Sequence, residues 1–342
     1  MDFPYKTLLI TGGTGTLAHA MVRYLLSLDI DITIRLLSRD EYKQKIMERL
    51  FHDTRLRFLL GDVRDLPRLQ YAVSGIELVV HTAALKHIDK GEYDGEDFHK
   101  TNVVGTLNVL KACQMSGVQQ AIFISSDKGC YPINLYGFSK GFAERLWIQG
   151  NGYAPHGTRL AVIRYGNVAN SRGSVIEVWR EVRATGKPLL LTDERMSRFW
   201  LTIDEAVRLV LWTAAHGLRG GVVVPHLPAF HLADLARAMI PEGQAYQVIG
   251  RRPGEKLAEL LMTTEEQERC YWYGPSDRNL VCYVIPPLMQ AWGIGDERAL
   301  WTTAPKDGER GMLAPEHQAP YRSDIWRWQL GIEDLRQRLE II

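Results

Sequence analysis

The chain has 342 residues, 46% hydrophobic and 24% charged, with 41 basic side chains against 40 acidic ones and a formal net charge of +1. It is long enough for one large or two modest globular domains with a real core, and it carries no basic surplus to steer it toward nucleic acid or an anionic membrane. It has no run of 18 apolar residues for a membrane-spanning helix, and the opening MDFPYKTLLITGG lacks the basic, apolar and cleavage segments of a signal peptide.

In chain order, TLLIT (7–11) reads as a strand followed by glycines, and 15–28 as a helix. DITIRLLS (31–38), LRFLLGD (56–62) and ELVVHTAA (77–84) read as the next strands, 98–116 as a helix, and QAIFISS (120–126) and LAVIRYGNV (160–168) as a fifth and sixth strand. Continuous apolar strands separated by helices predict a parallel sheet covered on both faces, the doubly wound α/β class. After about residue 170 the alternation weakens. The expected division is a dinucleotide-binding domain over 1–170, joined by a helical return within about 196–216, and a smaller substrate-binding part over 171–195 and 217–342. Residues 301–320 read as a long loop. Cys113, Cys130, Cys270 and Cys282 form no CxxC pair or zinc-ligand spacing, so they read as reduced thiols of a cytoplasmic protein, and no metal is expected.

The first strand runs into Gly12, Thr14, Gly15, Thr16, Leu17 and Ala18, a GxxGxxA spacing. Small residues here let the backbone approach a pyrophosphate, and the following helix aims its free N–H groups at the anion. At the end of the second strand, Ser38 and Arg39 suit the 2′-phosphate of NADP, while Asp40 keeps the ribose of NAD open. Asp62 and Val63 suit an adenine edge. Ala83 and Ala84 leave room for the cofactor.

Tyr136 and Lys140, at i and i+4, share one helix face. An ammonium beside a phenol favours the phenolate, which can then take a proton from a substrate hydroxyl as hydride leaves. Asp127 and Lys128 are an adjacent acid and base at the end of the fifth strand, suited to elimination; an exposed charged turn is the plainer alternative. Cys130 has no partner base and reads as packing.

These pieces resemble extended short-chain dehydrogenases/reductases. More closely, LLSRDEYKQ, GDVRD, HTAALKHI, KTNVVGTLNV, SSDKGCYPINLYGFSK, RYGNVANSRGSV, RMSRFWLT, RRPGEKLAE and YRSD, in that order, resemble the inverting UDP-N-acetylglucosamine 4,6-dehydratases of pseudaminic-acid-type pathways. The resemblance implies a redox-neutral reaction with a retained NADP. Tyr136, helped by Lys140 and Ser126, would oxidise the sugar C4 hydroxyl. Lys128 would remove the C5 proton, Asp127 would protonate the departing 6-hydroxyl, hydride would return to C6, and Lys128 is the candidate for reprotonating C5 from the opposite face.

The resemblance places Lys86 and His87 at the cofactor–substrate boundary. Asn167, Arg172, Gly173, Ser174 and Val175 fall on the sugar and diphosphate side, Arg198 on a phosphate, and Glu255 and Lys256 at the nucleotide end. It also implies a homo-oligomer through the helices 98–116 and 136–150. Ala258, where the family commonly has histidine, and Gly129-Cys130-Tyr131 depart from its pattern and bear on the choice of sugar. A retaining dehydratase, a C4 epimerase and a non-catalytic NADP sensor are the competing functions.

Overall fold

The computed structural model describes residues 3–153, 156–171, 173–216, 218–240, 245–275, 281–288, 308–312 and 320–342. Six parallel strands build the first half: β1 (Thr7–Thr11), β2 (Thr33–Ser38), β3 (Leu56–Leu60), β4 (Leu78–His81), β5 (Gln120–Ile124) and β6 (Arg159–Ile163). They lie in the order β3-β2-β1-β4-β5-β6, the doubly wound arrangement expected from the sequence. Every residue of β4 and β5 is buried, as continuous apolar runs in a doubly covered sheet require. Helix Thr16–Leu26 buries Leu17, Ala18, Met21, Val22 and Leu25, one stripe at helical period, and helix Ile203–His216 packs against it. Because strand order reverses beside β1, the carboxyl ends of β1 and β4 open onto a crevice.

The second half departs from the expected division. Strand Val222–Pro225 extends the large sheet in parallel beside β6, and strands Cys282–Ile285, Tyr271–Pro275 and Gly308–Met312 continue it antiparallel. Four strands within 217–342 therefore belong to the large sheet and not to the smaller part. The physical reason is that β6 would otherwise be an open edge, and pairing covers it. The remainder forms a second core around Trp179, Leu191, Trp200, Phe230, Leu235 and Leu335. Of the expected loop 301–320, residues 308–312 are strand, residue 320 is described without regular structure, and the rest lie outside the described residues.

The expected helix 98–116 divides into a π-helical turn, His99–Val104, and an α-helix, Gly105–Met115. In that turn Asn102 binds both the N–H and the carbonyl of Leu85 and reaches Ser139 Oγ. The wide turn thus ties the end of β4 to helix Leu135–Gln149.

Arg164, just past β6 and 2% exposed, pairs with Glu144 at 2.5 Å and Glu266 at 2.7 Å. Burial opposes its charge, but the two carboxylates hold its pKa well above the ordinary value. Removing one member of such a cluster typically costs about 3–5 kcal/mol, because the others are left buried and unpaired. The cluster locks helix Leu135–Gln149 to the segment that carries Glu259. Among the described residues no helix is long and apolar enough to cross a membrane, and no group of three or more His, Cys, Asp or Glu could hold a metal ion.

Candidate active site

Gly12 has φ +66°, and a Cβ there would stand 2.7 Å from Thr82 Oγ1 and 3.0 Å from the Ala83 nitrogen. Only glycine lets β1 turn this close to the end of β4. Gly15 caps helix Thr16–Leu26 without a side-chain hydrogen bond, so its first N–H groups face the crevice. That is the cradle a pyrophosphate requires. A cleft of about 1080 Å³ runs from it, lined by Gly12, Thr14, Gly15, Thr16, Leu17, Ser38, Arg39, Val63, Ala83, Ala84, Lys86, His87, Tyr136 and Lys140 among others.

At its far end Thr14 and Ser38 share a hydrogen bond of 2.9 Å. Asp40 accepts from the Lys43 nitrogen as the cap of helix Glu41–Phe51 and pairs with Lys43 at 2.7 Å. Asp62 is held by Arg64 at 2.7 Å and Arg39 at 3.4 Å. Burial opposes its charge, yet the hydrogen bonds from Arg64 and the charge of Arg39 keep its pKa low. The carboxylate placed by sequence beside an adenine is thus committed to two guanidinium groups.

The other half of the site starts where β5 ends. Asp127, 1% exposed, accepts from Ser126 Oγ at 2.7 Å and from the Lys128 backbone at 2.9 Å. Lys128 Nζ lies 2.9 Å from Asp127 Oδ2, 2.9 Å from Asn167 Oδ1 and 3.2 Å from Glu259 Oε1. Burial raises the Asp127 pKa, Glu259 raises it further, and Lys128 and Ser126 pull against both. For Lys128, burial works against the charge, but Asp127 and Glu259 outweigh it and raise the pKa. The exposed charged turn is therefore not what this segment forms.

Tyr136 stands half-buried on helix Leu135–Gln149, which Asn134 caps through the Gly137 N–H at 2.7 Å. The helix presses on the Asp127–Gly129 turn, and a Cβ on Gly141 would meet the Gly129 carbonyl at 2.8 Å. The expected lowering of the phenol by an ammonium is not what the geometry gives. Burial raises the Tyr136 pKa, the hydrogen bond with Ser126 and the charge of Lys128 only partly oppose it, and Asp127 and Glu259 add to the rise. Lys140, in turn, is 3% exposed; its Nζ donates to the Ile124 carbonyl at 2.6 Å and sits over the Phe123 ring at 4.0 Å. Burial pulls its pKa down to about 7, against the pull of Glu144.

A second pocket, about 380 Å³, also borders Lys128 and is lined by Asn167, Gly173, Ser174, Val175, Arg198, Glu255 and Lys256, among others. Gly173 and Asn167 border both cavities. Ser174 caps helix Val175–Ala184. Arg172 lies outside the described residues. Arg198 donates to the carbonyls of Ser197 and Leu257 at 2.7 and 3.2 Å and lies 3.7 Å from Glu259. Lys256 turns inward, donating to the Cys130 carbonyl at 3.0 Å and standing 3.9 Å from Glu259. It joins the Lys128–Glu259 cluster as well as the pocket wall.

A family model described as "Polysaccharide biosynthesis protein" matches residues 8–276. The chain belongs to the polysaccharide biosynthesis protein family. It is 39% identical over 273 residues to an inverting UDP-N-acetylglucosamine 4,6-dehydratase of Campylobacter jejuni, covering 79% of this chain and 81% of the relative. It is also 39% identical over 274 residues to a UDP-glucose 4-epimerase of Rickettsia massiliae, covering 78% and 80%. The X-ray structure of Pen from Bacillus thuringiensis superposes with a TM-score of 0.85 at 30% identity, over 100% of this chain and 99% of that one. The resemblance to extended short-chain dehydrogenases/reductases seen in the sequence thus extends through the fold.

Two residues of this family member escaped the sequence reading: Asn102 and Glu259. Each sits in a segment already singled out, but its partner lies far along the chain or depends on which way a turn faces. No local spacing announces such a contact.

The desolvated Lys140 makes a sign-definite prediction. Its folded pKa of about 7 lies below the ordinary value of 10.5, so between these pH values the unfolded chain binds the extra proton and stability rises with pH. Wild type should gain stability relative to Lys140→Met as pH rises from about 7 toward 10, read by denaturant midpoints. Parallel curves for the two proteins would contradict it.

Proposed function

We propose that this chain is a nucleotide-sugar 4,6-dehydratase that converts UDP-N-acetylglucosamine or a close relative to a 4-keto-6-deoxy sugar with inversion at C5. The observation that carries the reading is the 2.9 Å contact between Asp127 Oδ2 and Lys128 Nζ, set at the meeting of the two cavities beside Tyr136. Simple epimerisation at C4 needs no acid–base pair for elimination; loss of water across C5 and C6 needs one. The dehydratase named among the relatives supports the same reading.

The crevice suits a dinucleotide: the Gly12 turn, the open helix start at Thr16 and the long cleft would hold it, with Tyr136 and Lys140 at its reactive end. NADP is the proposed form, since Ser38, Arg39 and Lys43 border the ribose end and Asp40 is spent on capping. When bound, the nicotinamide supplies the acceptor and the donor of hydride.

The chain's own groups move protons. Tyr136 takes the C4 hydroxyl proton, and Ser126 is among the groups that lower its pKa. The new ketone acidifies C5. Asp127 and Lys128 share one proton across 2.9 Å, and shifting it from Nζ to Oδ2 turns an ion pair into a neutral acid beside a neutral amine. Burial disfavours charge on both groups, while Asp127 and Glu259 hold the proton on Lys128 at rest. Lys128 then removes the C5 proton, and Asp127 gives its proton to the leaving 6-hydroxyl, releasing water. Return of hydride to C6 with reprotonation at C5 from the other face gives the methyl group and completes the inversion. Arg198 and the start of helix Val175–Ala184 suit the diphosphate.

We also propose a homodimer through helix Leu135–Gln149, whose Leu135, Phe138 and Phe142 are 40%, 57% and 59% exposed along one face; light scattering that returns one chain's mass would contradict it. No membrane or nucleic-acid partner enters this reading, and a cytoplasmic setting suits its substrates.

In D2O, UDP-N-acetylglucosamine should give a 4-keto-6-deoxy product carrying deuterium at C5, by NMR and without added reductant. A C4 epimer without C5 label would sink the dehydratase in favour of the epimerase. Arg39→Ala should weaken NADP about tenfold or more, the scale of one lost phosphate contact, and NAD little. Equal loss for both cofactors by calorimetry would overturn the assignment.

A further inference from the structure

Glu259 is 2% exposed and carries a charge among the proton-transfer groups, yet it belongs to neither half of the chemistry just described. Its backbone is pinned on both sides. The Glu259 N–H donates to Ser323 Oγ at 2.9 Å, the Ser323 N–H donates to the Glu259 carbonyl at 2.9 Å, and Ser323 Oγ meets Ser197 Oγ at 2.8 Å. The side chain is thus fixed where β-strands Ser197–Phe199, Leu260–Met262 and Tyr321–Arg322 converge.

From there its carboxylate faces three cations from three segments: Lys128 at 3.2 Å, Arg198 at 3.7 Å and Lys256 at 3.9 Å. Asp127 and Tyr136 complete the set of titratable groups around Lys128 that feel its charge. Oε2 has no hydrogen-bond donor among the described residues, so on that side its charge acts through space.

We infer that Glu259 is a positioning residue for the elimination step, a fixed anion that holds Lys128 Nζ against Asp127 and keeps one proton on that pair at working pH. The inference rests on the dehydratase reading above. Without Glu259, Lys128 would face Arg198 and Lys256 with only Asp127 to offset them. The ammonium would be repelled, and a buried cationic cluster would strip the proton from Asp127 as well. With it, the pair retains a single proton, which can sit on Nζ or on Oδ2. That is the state from which one partner can act as acid and the other as base. Because a negative charge nearby raises the pKa of acids and amines alike, Glu259 shifts the loss of both protons from the pair to higher pH.

The test is the pH dependence of kcat for UDP-N-acetylglucosamine dehydration, together with C5 deuterium wash-in. In Glu259→Gln, both limbs of the profile should move to lower pH by about 1–2 units, the reach of one neighbouring charge, with KM changing less than kcat. Glu259→Asp, which keeps the charge, should return the limbs toward wild type. Arg198→Gln, which removes a cation from the same carboxylate, should move them upward, and it keeps the test alive if Glu259→Gln does not fold. A profile that falls in height without moving in Glu259→Gln, or stays in place in Arg198→Gln, assigns Glu259 to architecture alone and overturns the inference. Failure of the wild type to dehydrate any nucleotide sugar would instead overturn the dehydratase reading, so the two failures are distinguishable.

Discussion

A lysine held between two buried carboxylates is the constraint around which this molecule is arranged. Lys128, with its side chain 14% exposed, lies within 3.2 Å of both Asp127 and Glu259. Desolvating three charges is expensive, and only close mutual contact offsets it. The contact can exist only if the end of β5, the segment 251–262 and the strand Ser197–Phe199 are brought together. Those segments are far apart in the chain and belong to both cores. The fold therefore has to close around the site before the cluster is neutral enough to be buried.

The supporting structure serves that closure. Glu144, on the helix that carries Tyr136 and Lys140, is joined through Arg164 to Glu266, seven residues beyond Glu259. The Lys256 hydrogen bond to the Cys130 carbonyl makes a further tie between the same two regions. Asn102 adds one more, from the end of β4 to that helix. The face that carries Asp127, Lys128 and Tyr136 is thus clamped by buried polar contacts rather than by apolar packing alone, which fixes direction as well as distance. The glycines at 12 and 141 act in the opposite sense, by removing atoms so that backbone can approach backbone.

Much of this was legible in the sequence, and the reasons differ from part to part. The six parallel strands were readable because each is an apolar run bounded by turns, and TLLIT coincides with β1 residue for residue. The glycine loop was readable because its spacing is itself the mechanism. The Asp127–Lys128 pair was readable because its members are adjacent. The strands after residue 217 were not, because Val222–Pro225 and Cys282–Ile285 are four residues each and declare themselves only by pairing beside β6. Glu259 was invisible as a member of the cluster for the same reason: its partners Lys128 and Arg198 are distant in sequence. The i, i+4 spacing of Tyr136 and Lys140 carries no sign of burial, which raises the pKa of the phenol and draws that of the lysine down to about 7.

What ties these features together is the claim that oxidation at C4 and elimination across C5 and C6 share one site, with Tyr136 and Lys128 lining the same cleft. Following a single atom tests it. UDP-N-acetylglucosamine bearing deuterium at C4 can be converted in ordinary water and the product examined by NMR. The account predicts that the label appears in the C6 methyl group of the same molecule. Label retained at C4, or lost to solvent, would contradict it.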